Sequence, residues 1–193
     1  LWMDMRGASH LKKQLGGLIN IDGADIFKVL RFVSLTGGMP NLAGKDPAGH
    51  MLFIRDTKPE IYAKTHKFLN VLDYLNLRLT GEFVASFDSI VTSWVTDNRD
   101  PNELHYNDSL ISILGIDRTK LPDVVSCSSV IGSLKAEVAS ALGLSNDVKV
   151  IAGSIDNTAA SIGSGAVEDF HPHLYIGTSS WITAHVPFKK TDI

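Results

Sequence analysis

Cysteine is nearly absent from this chain of 193 residues, and so are the usual signals of secreted, membrane and nucleic-acid-binding proteins. The single cysteine, Cys127, excludes an internal disulfide framework, and with no histidine near it in sequence we expect a buried, unreactive thiol. No apolar run approaches the roughly 20 residues of a membrane span. The 18 Lys and Arg residues are scattered among 21 Asp and Glu, which excludes a basic nucleic-acid surface. These absences favour a reduced, cytoplasmic setting, with neither membrane nor nucleic acid as a partner.

Metal ligands and a hydrolase nucleophile are also missing from the sequence. The seven histidines are spread along the chain, and His171 and His173 are too few for a zinc site, so we predict no protein metal site. No G-x-S-x-G segment is present, which argues against an α/β-hydrolase. What remains is an ordinary globular composition, 44% hydrophobic and 20% charged, long enough for one substantial core.

Helical patterns dominate the first two-thirds of the chain. Apolar residues at helical spacing, opened by proline or closed by glycine, predict helices over 8–18, 24–36, about 46–56, from 59 onward, 69–79 and 107–115. Gly37 and Gly81 are expected to end two of these helices. Leu72, Leu75 and Leu79 recur at helical spacing, and we expect them to lie in the core.

The last third alternates strands with helices. The pattern predicts a strand over Val124–Val130, a helix over Leu134–Leu142 that ends at Gly143, and a strand over 148–153. The last of these is rich in β-branched residues, which is typical of an interior strand. Together these elements indicate an α/β fold.

The segment from Val150 to Gly165 is the most informative part of the sequence. Gly153 allows a sharp turn where the strand ends, and Asp156 and Asn157 then fall at the N-terminus of a helix of small residues. Free amide groups and the helix macrodipole favour a negative charge there. A carboxylate near the carboxyl end of a strand is well placed to accept a proton from a substrate hydroxyl. The alternative, which the local pattern alone favours, is that Asp156 simply caps the helix.

Two other segments carry candidate ligand contacts. Asp4 and Arg6 alternate behind a tryptophan, so they share one side of an extended backbone. They could address the hydroxyls of a sugar or polyol, or form an ordinary surface ion pair that contributes little to stability. Near the end of the chain, a hydroxyl-rich turn between two apolar strands contains Gly177, Thr178 and Ser179. Such a turn can present N–H groups and hydroxyls to a phosphate, but an ordinary hairpin has the same pattern.

Taken in order, these segments resemble the FGGY family of carbohydrate kinases, and most closely its xylulokinase-like members. The resemblance is carried by a W-x-D-x-R element, a G-x-x-D-x-x-A-x-x-x-G-x-G element and a G-T-S turn. The matching residues are Trp2, Asp4 and Arg6; Gly153, Asp156, Ala159, Gly163 and Gly165; and Gly177, Thr178 and Ser179. Between the first two elements, Lys58–Lys67 resembles the family's "EPEIFAKTHK" helix, and Asp73–Glu82 resembles its "DYLRYRLTGE" segment. One departure is that the family often has lysine and tryptophan where this chain has the segment from His50 to Arg55.

The resemblance implies the actin-like ATPase fold, also called ribonuclease-H-like, whose two domains close on ATP and a sugar. It places residues 1–166 in the later part of the N-terminal, sugar-binding domain, and residues 167–193 at the start of the C-terminal, nucleotide domain. The chain begins inside a motif, and the family's first phosphate-binding hairpin and most of its second domain would lie outside it. We therefore expect a fragment that is inactive by itself.

The activity that the resemblance implies is phosphoryl transfer from ATP, with Mg²⁺, to a hydroxyl of a pentulose such as D-xylulose. Asp156 would accept the proton of that hydroxyl. The implied sugar-binding residues are Asp4, Arg6 and Asn157, and the implied phosphate-binding residues are Gly177, Thr178 and Ser179. Two alternatives stay open, a noncatalytic sugar-binding module of the same fold and a glycerol- or gluconate-directed kinase. Formation of a homodimer is also left open.

Overall fold

Helices alternate with short strands in a computed structural model, which describes residues 3–100, 102–178 and 180–188. The chain divides into two units, Leu1–Gly153 and Ser154–Ile193. The elements of the first unit are α1 (Ala8–Leu15), β1 (Asn20–Ile21), β2 (Ala24–Asp25), α2 (Ile26–Thr36), α3 (Pro47–Thr57), α4 (Pro59–Lys64), α5 (Val71–Thr80), β3 (Val84–Ser86), α6 (Phe87–Ile90), β4 (Thr96–Asp97), β5 (His105–Tyr106), α7 (Asp108–Leu114), β6 (Asp123–Val125), β7 (Val130–Ser133), α8 (Ala136–Leu142) and β8 (Lys149–Ile151). The second unit contains α9 (Asp156–Gly163), β9 (Pro172–Ile176) and β10 (Ser180–Ala184). The domain boundary that the resemblance places after residue 166 stays a prediction.

The strands of the described residues form two-stranded sheets. β3 and β6 pair in parallel, as expected for an α/β protein, because a helix-containing crossover connects them. The other pairs are antiparallel: β1 with β2, β4 with β5, β7 with β8, and β9 with β10. No helix of the described residues is long and apolar enough to cross a membrane.

The hydrophobic core of the first unit lies among α1, α2, α3 and α7. Its largest fully buried side chains include Leu11 and Leu15 of α1, Phe32 of α2, Leu52 of α3 and Leu110 of α7. Burial of each such side chain stabilises the fold by about 1.5–3 kcal/mol relative to its exposed state. The pattern therefore supports the prediction that the early helices are amphipathic.

Helix ends follow the local signals closely. α2 ends at Gly37 (φ +85°) and α5 ends at Gly81 (φ +95°), both in the left-handed region that favours glycine. Asp25 begins α2, since its carboxylate accepts hydrogen bonds from the backbone N–H groups of Phe27 and Lys28. The first helix is shorter than predicted, because it ends at Gly16 and leaves residues 17 and 18 outside.

Asp46 begins α3 next to Pro47, a sequence pattern that predicts a capping aspartate. Its carboxylate, however, makes no hydrogen bond to the N–H groups of this helix. It accepts instead from the backbone N–H of Asn41 at 2.6 Å and from the indole Nε1 of Trp94 at 2.9 Å. The side chain of Asp46 thus links the start of α3 to the turn that follows α6.

The leucine face predicted for α5 is wrong. Leu75 is 53% exposed, and Leu72 and Leu79 are only half-buried. The buried residues of this helix are the polar Asp73 and Asn76, three positions apart and therefore on one face. Their buried side chains hydrogen-bond the backbone of Ser86 and Ala152 and the hydroxyl of Ser89 in α6, which a leucine could not do.

The interior strand predicted over 148–153 is also wrong in its burial. β8 forms over Lys149–Ile151, but Ile151 is 55% exposed. In the described residues β8 pairs on one side only, with β7, so it is an edge strand of a two-stranded sheet and not an interior strand. The strand predicted over Val124–Val130 is interrupted, since β6 ends at Val125 and β7 begins at Val130. Cys127 lies in that interruption and is half-buried rather than buried.

Candidate functional site

The first candidate feature is an ion pair between Asp4 and Arg6, which we call the Asp4–Arg6 pair. Arg6 donates from Nη2 to Oδ2 of Asp4 at 2.6 Å and from Nε to Oδ1 at 2.9 Å. The guanidinium holds the pKa of the Asp4 carboxyl well below its usual range, chiefly through these side-chain hydrogen bonds. Arg6 is 65% exposed, so its guanidinium is accessible to a polar ligand. The two residues share one side, as the alternation predicts, whereas Trp2 lies outside the described residues.

Helix α3 supports the Asp4–Arg6 pair from one side. The ring Nε2 of His50 donates to the backbone carbonyl of Asp4 at 2.9 Å, because that carbonyl can only accept. The guanidinium of Arg6 stacks on the ring of Phe53, 4.7 Å from its centroid. Gly7 lies so close to α3 that a Cβ there would come within 2.5 Å of the carbonyl carbon of Gly49. The position of the pair is thus set by contacts to one rigid helix.

A cavity of about 200 Å³ lies beside α3 in the same unit. Its lining is mostly apolar, with side chains from α3, from the start of α5 and from the turn after α6. The polar residues that line it are His50, Asn70 and Ser93. His50 therefore contacts the backbone of Asp4 and also faces this cavity.

In the second unit, the helix that carries the predicted acid begins as the sequence indicates. Asp156 is the first residue of α9, and Ile155 is the residue that caps the helix. Oδ1 of Asp156 accepts a hydrogen bond from the backbone N–H of Asn157 at 2.9 Å. Both side chains are exposed. The Asp156 carboxylate therefore lies at the surface of the described residues, in the first turn of α9.

The small residues of α9 have less to pack against than the pattern suggests. No described atom lies within 4 Å of a Cβ built on Gly163 or on Gly165. Gly165 is required for its backbone instead, since its φ is +81°. Gly153, in the first unit, likewise takes a positive φ of +80° where β8 ends, which confirms the predicted turn.

The predicted hydroxyl-rich turn joins β9 to β10 in an antiparallel hairpin. Gly177 and Thr178 lie in the turn and are exposed, whereas Ser179 falls outside the described residues. Tyr175 and Trp181, a cross-strand pair, stack with ring centroids 4.9 Å apart. The hairpin is therefore a well-paired element that presents its turn to solvent.

A hydroxyl pair connects α9 to this hairpin. Oγ of Ser161 lies 2.8 Å from Oγ1 of Thr183, and either hydroxyl can donate. A cavity of about 240 Å³ lies next to this pair, lined also by Asn157, Thr158 and His185. Among the described residues, no group of three or more His, Cys, Asp and Glu side chains is arranged to hold a metal ion.

Comparison with known proteins identifies the family. Residues 41–163 match the model of the N-terminal domain of the FGGY family of carbohydrate kinases, which is well over half of the chain. The chain belongs to the FGGY family. This confirms the family that the ordered motifs predicted. The matched range contains Asp156 and Asn157, and the Asp4–Arg6 pair and the hairpin lie outside it.

The FGGY relatives of this chain include several xylulose kinases. The chain is 27% identical over 188 residues to the xylulose kinase of Lactococcus lactis, a match that covers 97% of the chain and 34% of the relative. It is 34% identical over 133 residues to the xylulose kinase of Escherichia coli, covering 68% of the chain and 26% of the relative. The chain thus spans about a third or less of the length of these curated relatives.

Solved FGGY structures confirm the fold predicted from the resemblance. The ligand-bound xylulose kinase of Lactobacillus acidophilus superposes with a TM-score of 0.74 at 25% identity, covering 94% of this chain and 34% of that one. The gluconate kinase of the same organism superposes with a TM-score of 0.69 at 27% identity, covering 80% of this chain and 30% of that one. The chain therefore has the actin-like, ribonuclease-H-like fold.

Sequence reasoning missed the residues that support the candidate site. His50 and Phe53, which hold the Asp4–Arg6 pair, belong to the segment in which the chain departs from the usual FGGY pattern. His50 lies 46 residues from Asp4 in the sequence, so no local pattern indicates their contact. The Ser161–Thr183 contact had no signal, since a serine and a threonine 22 residues apart show no periodic relation.

Proposed function

We propose that this chain is the sugar-binding part of a longer FGGY protein that phosphorylates a hydroxyl of a pentulose such as D-xylulose with ATP. The observation that carries the proposal is an exposed Asp-Asn pair at the first turn of α9, within the range that matches the FGGY model. Relatives at 27% and 34% identity that are named xylulose kinases support a pentulose as the substrate. A cytoplasmic setting is part of the proposal, and the single cysteine supports it.

In the proposed reaction, Asp156 accepts the proton of the sugar hydroxyl as that oxygen forms its bond to the γ-phosphorus of ATP. The bond from that phosphorus to the oxygen of ADP breaks in the same step, and ADP leaves. A carboxylate is a weak base, but in a loose transition state its main contribution is to orient the hydroxyl. The exposed first-turn position of Asp156 suits this role, because a substrate can reach both carboxylate oxygens.

The sugar itself would be bound by Asp4, Arg6 and Asn157. The Asp4–Arg6 pair combines a carboxylate, which can accept from sugar hydroxyls, with a guanidinium, which can donate to them. The amide of Asn157 can donate to one hydroxyl and accept from another.

The phosphates would be bound by the β9–β10 turn at Gly177, Thr178 and Ser179. Backbone N–H groups of such a turn can surround phosphate oxygens. Mg²⁺ is implied by the nucleotide, and it would be held chiefly by the ATP phosphates and water.

The acceptor role is tested by Asp156→Asn in the full-length protein that contains this chain. We expect kcat with D-xylulose to fall by at least about 100-fold, since the substituted amide cannot accept the proton. Stability should change by no more than about 1 kcal/mol, because the lost term is a helix-end charge interaction. Asp147→Asn, an exposed aspartate of the loop before β8, is the matched control and should leave both quantities unchanged.

Two results would decide against this assignment. If Asp156→Asn turned over D-xylulose at the normal rate, Asp156 would not be the proton acceptor. If the wild-type protein bound the sugar without turnover in the presence of ATP and Mg²⁺, the noncatalytic sugar-binding module would be the better account.

A further inference from the structure

The contact between Ser161 and Thr183 lies in the second unit, where it joins α9 to β10. Ser161 is 7% exposed, and its hydroxyl meets that of Thr183 at 2.8 Å. Both residues line a neighbouring cavity of about 240 Å³. A directional hydrogen bond thus joins α9 to the hairpin beside this cavity.

This bond joins the two elements that carry the proposed catalytic groups of the unit. α9 begins at Asp156, which is five residues or about 7.5 Å along the helix axis from Ser161. Thr183 lies opposite His173, near the end of the hairpin away from the turn. Ser180, next to the turn, is three residues or roughly 10 Å from Thr183 along β10. A small rotation of α9 relative to the hairpin about this hydrogen bond would therefore displace both Asp156 and the turn.

We infer that Ser161 and Thr183 form a positioning pair that sets the placement of Asp156 relative to the phosphate-binding turn at Gly177 and Thr178. This inference rests on the proposed function. Phosphoryl transfer needs the attacking and leaving oxygens in line, so it tolerates little displacement of either group. In this inference both hydroxyls act through the elements that they join, α9 and β10.

The test separates the hydrogen bond from the shape of the side chain. In the full-length protein, Thr183→Val keeps the volume but removes the hydroxyl, whereas Thr183→Ser keeps the hydroxyl and removes a methyl group. We expect Thr183→Val to lower kcat by about 10–100-fold, because a misplacement near 1 Å costs on the order of 100-fold. The KM values for sugar and ATP should stay within about 2-fold, since the loss occurs in the transition state.

Thr183→Ser should keep a kcat within about 3-fold of the wild type, because the bond is retained. Ser164→Ala is the matched control, since the hydroxyl of Ser164, the residue after α9, donates to the backbone carbonyl of Ser161 and not to the hairpin. Amide hydrogen exchange of peptides covering 154–165 and 172–184 gives a second measurement that needs no substrate. Thr183→Val should raise exchange in both segments, and Ser164→Ala should raise it in the first alone.

A normal kcat for Thr183→Val would overturn the inference, and so would a Thr183→Ser variant as impaired as the valine variant. If the wild-type protein turned over no sugar, the proposed function would be wrong. The hydrogen-exchange data alone would then test whether the Ser161–Thr183 bond links α9 to the hairpin. Faster exchange in both segments would then support a link between α9 and the hairpin, and unchanged exchange would contradict it.

Discussion

The side-chain amide of Asn76 provides the sharpest stability test of the fold. Its Nδ2 donates at 2.7 Å to the backbone carbonyl of Ala152, the residue that follows β8 and precedes the turn at Gly153. Asn76 is 5% exposed and Ala152 is fully buried, so water cannot replace this bond. In Asn76→Ala the carbonyl loses its donor, at a cost of about 1–3 kcal/mol. Alanine has a higher helix propensity than asparagine, which stabilises the variant by at most about 0.7 kcal/mol. The loss of packing around the shortened side chain offsets that gain. We expect a net destabilisation of about 1–3 kcal/mol.

Urea unfolding at pH 7 measures this free energy, and a second variant identifies its cause. Asn76→Leu restores the side-chain volume but still leaves the Ala152 carbonyl without its donor, so it should be no more stable than Asn76→Ala. Asn102→Ala, which removes an exposed amide bonded to Asp100 in its own loop, should change stability by less than about 0.5 kcal/mol. A leucine variant as stable as the wild type would refute the reasoning, because packing rather than the hydrogen bond would then explain the loss.

Two further predictions concern pH. The hydrogen-bonded Arg99 lowers the pKa of Asp97 to about 2, so this carboxylate contributes stability above about pH 4 that is lost as the pH falls towards 2. Because Arg99 is largely exposed, we expect this ion pair to stabilise the fold by about 1 kcal/mol or less. In Asp97→Asn the melting temperature should therefore fall less steeply as the pH drops from about 4 to about 2. An unchanged slope would contradict this prediction. Burial raises the pKa of Asp73, although hydrogen bonds from Ser89 and Ser86 oppose the shift. The folded state then holds this proton more tightly than the unfolded chain, so stability falls as the pH rises above about 4. Asp73→Asn should flatten that decline, and an equally steep profile in the variant would show that another group causes it.

Helix boundaries could be predicted because their signals are local. A glycine in the left-handed region, such as Gly37 or Gly81, ends a helix whatever its tertiary surroundings. The start of α9 at Asp156 was predictable for the same reason, since a strand, a glycine turn and a run of small residues follow one another directly. The motifs indicated the family because each is a short, local pattern and they follow one another in the family's order along the chain.

Burial could not be predicted, because it depends on residues far away in sequence. The leucine spacing of α5 is typical of a core helix, yet its buried face carries Asp73 and Asn76. Asn76 hydrogen-bonds the carbonyl of Ala152, 76 residues away, and Asp73 hydrogen-bonds Ser86 and Ser89, so no pattern within the helix reveals these partners. In the same way, β8 has the composition of an interior strand and a single paired edge among the described residues.

The candidate site also combines features that local sequence predicts with contacts that it does not predict. The placement of Asp156, Asn157, Gly177 and Thr178 at exposed turns followed from local pattern. The contacts that hold such groups in place, from His50 to Asp4 and from Ser161 to Thr183, join separate elements and required the structure. The roles of these residues in sugar and phosphate binding stay predictions.

Sugar-dependent ADP release by the full-length protein that contains this chain tests the central claim most directly. D-xylulose, L-ribulose, glycerol and gluconate would be compared at equal ATP and Mg²⁺ concentrations. The account predicts turnover with the highest kcat/KM for D-xylulose. A preference for glycerol or gluconate would contradict the pentulose assignment. A folded full-length protein that released no ADP with any of the four substrates would contradict the proposed kinase activity.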